Sequence, residues 1–420
     1  FSYLVGENGG GAFVLTYLLC VAILGLPLLI AEIVLGRLGR KNPIDVMKDL
    51  ATSSGVSSKW AGVGVLTVLA SFLITTYYVV IVGWVLDYFV RAVQGHLHFA
   101  SAVVAKQHFT AIQNNHWEML LTGTAVVVGA CLIIVLGIKK GLERAVMLIF
   151  PLLLLLMLCL LLFSYNTGHF DQGVKYLFQA DFSKLTHHTM LLALGQAFFS
   201  LNVAMGITVM MSAYLPEGVS IMQCALGVLV ADTGFALLSG LIIFPIVFAY
   251  HLSPAAGPSL IFQTLPIAFS HMPYATVVGS LFFLMLFFAA FSSVIALLEP
   301  TVCAFIECIG WSRVKAVVVV GLACWLLSLG SIGSFSWPAA FSWHKISFFD
   351  AVDFVTADVM LPAGGILLAI FTGWCLQKEL MSDELGWNLS GFWVTRWRMA
   401  LRWFAPLIIF FVLLSALGVL

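Results

Sequence analysis

The sequence contains little charge. Only 9% of its 420 residues are Asp, Glu, Lys or Arg, whereas soluble domains average about 25%. Hydrophobic residues make up 62% of the chain, which excludes a soluble domain and indicates an integral membrane protein. Acidic and basic residues are equal in number, at 19 each. The resulting net charge of zero argues against nucleic acid as a partner.

The chain also lacks the motifs that bind catalytic metals or perform hydrolysis. Its eight cysteines lie in or beside apolar runs without a Cys-x-x-Cys pair, so neither a disulfide framework nor a zinc site is indicated. Neither His-Glu-x-x-His nor Gly-x-Ser-x-Gly occurs, and His187-His188 falls in a connecting segment. We therefore expect no enzyme. A starting Met and a secretory signal are also absent.

Long apolar runs dominate the sequence. About 20 apolar residues span a bilayer as a helix, so each run is predicted to be a membrane helix. No alternating ten-residue pattern suggests a barrel. The ten runs lie at residues 11–36, 60–90, 117–138, 141–163, 190–212, 219–250, 274–309, 314–330, 350–376 and 394–419.

Lys and Arg are distributed unevenly between the two sides of these runs. The connections after the first, third, fifth, seventh and ninth runs share one side, which holds fourteen of the nineteen basic residues. The positive-inside rule predicts that this side is cytoplasmic and that the protein lies in the cell inner (plasma) membrane. Phe1 then emerges outside. We expect the missing start of its helix to place the N-terminus in the cytoplasm.

One run contains an unusual polar segment. Gly195–Gly206 carries Gln196, Ser200 and Asn202 inside an apolar stretch and is bounded by glycines. A membrane helix opens only where its freed backbone groups face protein or a water-filled cavity, and glycine lowers the cost of leaving helical geometry. The segment therefore predicts a discontinuous helix that forms half of a solute site. The alternative is a continuous buried helix packed through small residues.

The segment Leu252–Pro273 has no charged residue and is rich in proline and glycine. It is too apolar for a solvated tether. We interpret it as a re-entrant or vestibule-lining hairpin on the outer side.

Short motifs are spaced over essentially the whole chain. They are Phe1-Ser-Tyr-Leu4, Glu7–Phe13, Gly25-Leu-Pro27, Glu32–Gly36, Tyr77-Tyr78, Gly195–Gly206, Asp232-Thr233, Phe287–Pro300 and Asp350–Phe354. In this order they resemble the neurotransmitter:sodium symporter family. An eleven-helix bacterial member is the best match, because the chain ends one span beyond the tenth helix.

The resemblance implies an all-α polytopic membrane protein with the leucine-transporter type of 5+5 inverted repeat, in which helices 1 and 6 are broken. Residues 1–163 would hold the outer end of helix 1 through helix 5, residues 190–376 helices 6–10, and residues 394–419 helix 11. All belong to a single transporter domain, 1–420. The family's inner half of helix 1, with its share of the ligands, would precede Phe1.

The resemblance places Asp232 and Ser200 at a first sodium ion, beside the substrate carboxylate. Asp232 is the only acidic residue in its run, and an intramembrane carboxylate costs about 2.5–3.5 kcal/mol on insertion scales. Many animal members have a neutral amide here and bind chloride nearby. A carboxylate with Tyr17, Gln196 and Ser200 as neighbours therefore predicts chloride independence. The alternative is a protonated Asp232 bonded to a neighbouring helix.

A second sodium site is implied by the Ala289 carbonyl and the Ser292 and Ser293 hydroxyls, since oxygen ligands suit a hard cation. The alternative is that both serines bond their own helix backbone. In bacterial relatives the spacing of Gly141 and Pro151 lets helix 5 unwind and admits water to this site. A simple proline kink is the alternative interpretation.

The resemblance also assigns gates. Tyr78 and Phe199 correspond to the aromatic pair that covers the substrate from outside, with the Tyr78 hydroxyl holding its carboxylate. Asp353 corresponds to the outer-gate acid, whose arginine partner would precede Phe1. Glu32 corresponds to an acid that holds backbone groups of the broken helix 6. The alternative for Glu32 is a snorkelling acid near the end of its span.

Substrate specificity is assigned to a set of side chains around the break. The implied contacts are Ile74, Ser200, Asn202, Val203, Ala204, Met205, Ser293 and Leu297. Members that take bulky substrates tend to have glycine where Ala204 stands, and one methyl group in a pocket is worth about 1–3 kcal/mol. This predicts a small or medium neutral amino acid or related zwitterion rather than tryptophan. Asn202 is larger than the usual serine and could contact a polar substrate end.

The resulting prediction is a sodium-coupled symporter that imports its zwitterionic substrate by alternating access, with two sodium ions, no chloride, and a monomer or weak dimer in the lipid bilayer. A channel would need a continuous polar pore, whereas the polar residues cluster at midplane breaks. A transport-inactive sensor that binds sodium and an amino acid remains the alternative of a different class.

Overall fold

The fold comes from a computed structural model that describes residues 1–97, 99, 101–216, 218–253, 260–272, 274–343, 346–385 and 392–417. These residues are almost entirely helical. One antiparallel hairpin joins β1 (Ser342–Trp343) to β2 (Ile346–Ser347), with Ser342 opposite Ser347.

The helices follow one another with short connections. In chain order they are α1 (Ser2–Glu7), α2 (Gly11–Gly39), α3 (Pro43–Ser53), α4 (Ser58–Val93), α5 (Ala102–Asn114), α6 (His116–Val135), α7 (Ile138–Tyr165), α8 (Phe170–Phe178), α9 (His187–Ser200), α10 (Ile207–Ser212), α11 (Ile221–Ala249), α12 (Leu260–Ser270), α13 (Ala275–Ile309), α14 (Arg313–Ser336), α15 (Phe348–Cys375), α16 (Lys378–Leu385) and α17 (Phe392–Ala416). Within the described residues, nine of them (α2, α4, α6, α7, α11, α13, α14, α15 and α17) are long and apolar enough to cross a membrane.

These nine helices coincide with nine of the ten predicted runs. The largest difference is at α14, which continues to Ser336 rather than ending near residue 330. Its last turns are rich in serine and glycine, and Ser334 satisfies its hydroxyl locally by donating to the Gly330 carbonyl at 3.0 Å. Apolar content alone therefore underestimated its length. The tenth run, 190–212, is divided into α9 and α10.

The apolar connection after α11 is packed against the bundle where the structure describes it. Residues 254–259 and 273 of the predicted hairpin lie outside the described residues. The part that follows forms α12, whose Leu265 and Phe269 side chains are buried. Tyr88 in α4 donates to the Phe262 carbonyl at 2.8 Å. This part is not a solvated tether, and its description as a re-entrant hairpin stays a prediction.

The buried apolar side chains form two large clusters and one small one. The first large cluster draws mainly on α4, α6, α7, α12, α13 and α14, and the second on α2, α3, α9, α15 and α17. The small cluster takes residues from α4, the connection between α9 and α10, α13 and α15. It therefore joins helices from both large clusters at the level where the tenth run is interrupted.

Gly36 allows α2 to lie directly against α10. A Cβ atom on Gly36 would lie 2.1 Å from the Val209 carbonyl oxygen and 2.9 Å from Ser212 Cβ. The backbone atoms of a helix cannot move aside to make room, whereas the end of a flexible side chain can. Any larger residue at position 36 would therefore push the two helices apart.

We predict that Gly36→Ala destabilises the protein by about 1–3 kcal/mol, the usual cost of overpacking a tight contact. The measurement is the thermal unfolding midpoint of the purified protein in detergent. Gly62→Ala is the matched control, because nothing lies within 4 Å of a Cβ built at this helical position. A Gly36→Ala midpoint equal to that of the wild type would contradict the close contact.

Candidate sodium and substrate site

The site is organised by the interruption between α9 and α10. The chain leaves helical geometry after Ser200 and resumes it at Ile207. Asn202, Ala204 and Gly206 have positive φ angles of 52°, 65° and 70°. Asparagine and glycine tolerate this region, but alanine rarely adopts it. The predicted discontinuous helix is therefore present.

Glu32 from α2 holds the centre of this interruption. Its side chain is fully buried, and its Oε1 accepts the backbone N–H of Ala204 at 2.9 Å. An open backbone donor in an apolar interior needs such a partner. Glu32 Oε2 has no hydrogen-bond partner within the described part of the chain. Full burial is inconsistent with the snorkelling alternative.

Three oxygen-bearing side chains meet beside the end of α9. The buried Tyr17 hydroxyl of α2 lies 3.1 Å from Ser200 Oγ and donates to Asp232 Oδ2 of α11 at 3.3 Å. The Phe1 ring covers Tyr17, with ring centroids 5.0 Å apart. A partly buried carboxylate is thus surrounded by hydroxyl groups. Such an oxygen set suits a hard monovalent cation.

A second group of oxygens lies in the middle of α13. Ser292 and Ser293 donate to the Ala289 carbonyl at 2.9 and 3.3 Å. These are the backbone bonds that the simpler interpretation expects. They also bring the three oxygens that the family resemblance names into one cluster. The geometry is therefore compatible with a second sodium site and also with serines that only bond the backbone of their own helix.

Four of the predicted substrate contacts lie together. Ile74, Met205 and Leu297 are buried in the small apolar cluster, and Tyr78 packs against it. They come from α4, the interruption and α13. A pocket at this place would be narrow, because all three aliphatic side chains are less than 5% exposed.

Val203 and Ala204 are placed differently. Both are fully buried in the second large cluster, with α2 and α9, rather than beside Ile74 and Met205. A Cβ on Gly364 of α15 would lie 3.2 Å from the Ala204 side chain. The alternation of φ signs turns successive side chains to different sides. Asn202 is exposed.

Phe199 and Gln196 line a separate cavity. Its volume is about 330 Å³, and Tyr3, Leu361 and Asp358 are among its other lining residues. Phe199 is 41% exposed. No ring contact joins Phe199 to Tyr78 within the described chain, so the predicted aromatic pair is not closed. Gln196 forms no hydrogen bond with Tyr17, Ser200 or Asp232 there.

Asp358 is a polar residue that the sequence analysis missed. It lies on α15 one turn beyond the predicted gate residue Asp353 and faces the cavity that Gln196 and Phe199 line. The sequence did indicate this residue, because an acid within a predicted membrane run is a candidate functional residue. Asp353 lies at the start of the same helix, where Tyr77 packs edge-on against Phe349 at 5.4 Å.

Helix 5 of the family corresponds to α7, and the unwinding predicted for it is not seen in this structure. Helix α7 runs without interruption from Ile138 to Tyr165, through both Gly141 and Pro151. Gly141 allows the backbones of α7 and α6 to lie close together, since a Cβ at this position would lie 2.0 Å from the Ile133 carbonyl oxygen. An unwound form stays a prediction.

The fold and the site together define a class of protein. Membrane helices with one span opened at mid-length, a buried acid holding the open backbone, and oxygen clusters next to the opening are features of secondary transporters with broken helices.

Comparison with known proteins gives the family. The model of the "Sodium:neurotransmitter symporter family" matches residues 1–110 and 102–419. A sodium-dependent transporter of Bacillus subtilis (strain 168), YhdH, is 33% identical over all of this chain and 93% of its own length. A sodium-dependent transporter of Haemophilus influenzae (strain ATCC 51907 / DSM 11121 / KW20 / Rd) is 31% identical over 99% and 93%.

A solved structure agrees. The crystal structure of MhsT in complex with L-phenylalanine superimposes with a TM-score of 0.89 and 35% identity, over 99% of this chain and 94% of MhsT. The chain belongs to the sodium:neurotransmitter symporter family, and its fold is the leucine-transporter fold predicted from the sequence.

We predict that Glu32→Ala costs about 1–3 kcal/mol of stability, because the Ala204 N–H would lose its buried partner. Glu32→Gln keeps an acceptor at Oε1 and should be affected less. Thermal unfolding of the purified variants measures both. Glu143→Ala, at an exposed position of α7, is the control and should equal the wild type. A Glu32→Ala protein as stable as Glu143→Ala would refute the role of Glu32 at the interruption.

Proposed function

We infer that this member of the family is a sodium-coupled symporter that imports a small or medium neutral amino acid, or a related zwitterion, without needing chloride. The observation that carries the inference is the contact of Tyr17 with both Ser200 and Asp232. It gathers a carboxylate and two hydroxyls from three helices next to an opened backbone.

Coupling would follow from direct contact between the ion and the substrate. A sodium ion held by Asp232 and Ser200 presents positive charge to a substrate carboxylate. Each ligand then raises the affinity for the other by the same factor. The Ala289 carbonyl with the Ser292 and Ser293 hydroxyls would hold the second sodium ion. Opening of α7 near Pro151 would release that ion on the inner side.

The driving force is sufficient for accumulation. One sodium ion that crosses 100 mV supplies about 2.3 kcal/mol, which corresponds to roughly fifty-fold accumulation at 1.4 kcal/mol per factor of ten. Two ions would approximately square that factor. A channel would give no accumulation against a gradient, and a transport-inactive sensor would give binding without flux. Uptake into proteoliposomes under an imposed sodium gradient therefore tests the proposal directly.

We predict that uptake is equal in chloride and in gluconate, because Asp232 supplies the negative charge itself. Asp232→Asn keeps the shape but removes that charge. It should weaken the apparent sodium affinity by about tenfold or more, since one ion–carboxylate contact in a partly buried site exceeds about 1.4 kcal/mol. Chloride should partly restore it. Asp171→Asn, at an exposed position of α8, is the control. Wild-type uptake that requires chloride would refute this part of the proposal.

We predict that Met205 limits substrate size. Alanine and glycine should compete better than tryptophan in wild-type uptake, because the cluster around Ile74 and Leu297 leaves little free volume. Met205→Ala should improve the relative uptake of tryptophan by about tenfold or more, as expected when methylene groups are removed from a pocket. Val203→Ala is the control, since this side chain lies in the other cluster. An unchanged tryptophan ratio in Met205→Ala would refute the assignment.

A further inference from the structure

Two arginines of α17 converge on one backbone carbonyl of α15. Arg398 Nη2 and Arg402 Nε donate to the Gly373 oxygen at 3.0 and 2.6 Å. Helix α17 approaches this glycine so closely that a Cβ atom there would lie 3.0 Å from Arg402 Cγ. The glycine therefore brings two positive charges together at the end of α15.

No carboxylate of the described residues bonds these guanidinium groups, and Glu379 of α16 acts on Arg398 only from beyond 4 Å. Within the described chain, neither Arg398 nor Arg402 has an acidic oxygen within 4 Å. The undescribed residues 386–391 read Gly-Trp-Asn-Leu-Ser-Gly and contain no acid. Arg398 is only 8% exposed, and its Nε lacks a partner. One shared carbonyl does not balance two guanidinium groups, and an uncompensated buried charge is costly. The two guanidinium groups therefore need an anion to balance their positive charge.

An apolar groove begins beside Arg402. It has a volume of about 440 Å³ and lies between α15 and α17, and its lining includes Ile366, Ile370, Pro406, Leu407 and Phe410. Leu407 and Phe410 are about half exposed, as expected of side chains that face lipid.

Two tryptophans flank the arginine at the mouth of the groove. Trp374 and Trp403 lie edge to face, 5.2 Å apart, and the Arg402 guanidinium lies 5.0 Å from the centre of the Trp374 ring. Both indoles are exposed. Tryptophan is enriched where a membrane protein meets the head groups. The groove thus runs from the interface into the hydrocarbon region.

We propose that this site holds an anionic phospholipid of the leaflet on the basic side of the bundle. Its phosphate accepts hydrogen bonds from Arg402 and Arg398, and one acyl chain fills the groove between α15 and α17. Basic pockets between membrane helices bind anionic head groups in this way. An acyl chain explains why the groove is apolar and open to the bilayer, which a site for a free anion does not require. The proposal concerns lipid binding and is separate from the transport proposal.

The test is native mass spectrometry of the full-length protein with equal amounts of phosphatidylglycerol and phosphatidylcholine. The wild type should retain one phosphatidylglycerol in preference to phosphatidylcholine. Arg402→Gln should weaken this retention about fivefold, the factor expected for one charge at an anionic lipid. Leu407→Trp should weaken it without a change of charge, because the indole fills the groove. Arg402 is partly exposed and Leu407 is exposed, so substitutions there disturb folding less than a substitution of the buried Arg398 would.

Arg396→Gln is the matched control. Arg396 belongs to the same helix, but its guanidinium lies over the Phe392 ring at 3.8 Å. Its removal should leave the lipid preference unchanged. Three results would overturn the proposal: equal retention of the two lipids by the wild type, equal losses in Arg396→Gln and Arg402→Gln, or thermal stabilisation by glycerol phosphate alone that matches stabilisation by phosphatidylglycerol.

Discussion

The need to satisfy open backbone groups inside a membrane governs this structure. Between Ser200 and Ile207 the chain gives up helical hydrogen bonds where no bulk water can replace them. The fully buried Glu32 carboxylate takes the Ala204 N–H instead. This hydrogen bond helps to tie the interruption to α2. Because the acid comes from another helix, the opened segment is fixed in position rather than free to refold as a continuous span.

The same interruption sets the places of the oxygen atoms around it. Helix α9 ends at Ser200, and the Ser200 hydroxyl contacts the hydroxyl of Tyr17 in α2. Tyr17 also donates to Asp232 of α11. On the other face, Met205 enters the apolar cluster of Ile74 and Leu297. Polar and apolar contacts are thus separated by the turn itself. The zwitterionic amino acid that we propose as substrate needs both, since its charged groups and its side chain require opposite surroundings.

Much of this could be predicted from the sequence. Apolar runs gave nine helices, and glycines with polar residues in an apolar run indicated the break. The directions of the side chains within the break were not predictable, because they depend on the positive φ angles of Asn202 and Ala204. This is why Val203 and Ala204 lie away from the other predicted pocket residues. Contacts between distant segments, such as that of Gly36 with Val209, leave no local pattern in the sequence.

The contacts at the inner end of α2 restrict how the bundle can change shape. Gly36 lies against the Val209 backbone, and Arg37 bonds the Val219 carbonyl and the Glu384 carboxylate. Helix α2 is therefore joined to α10, to the segment before α11 and to α16. A movement of α2 at this end would therefore carry α10 with it, and the two cannot separate there without losing these contacts.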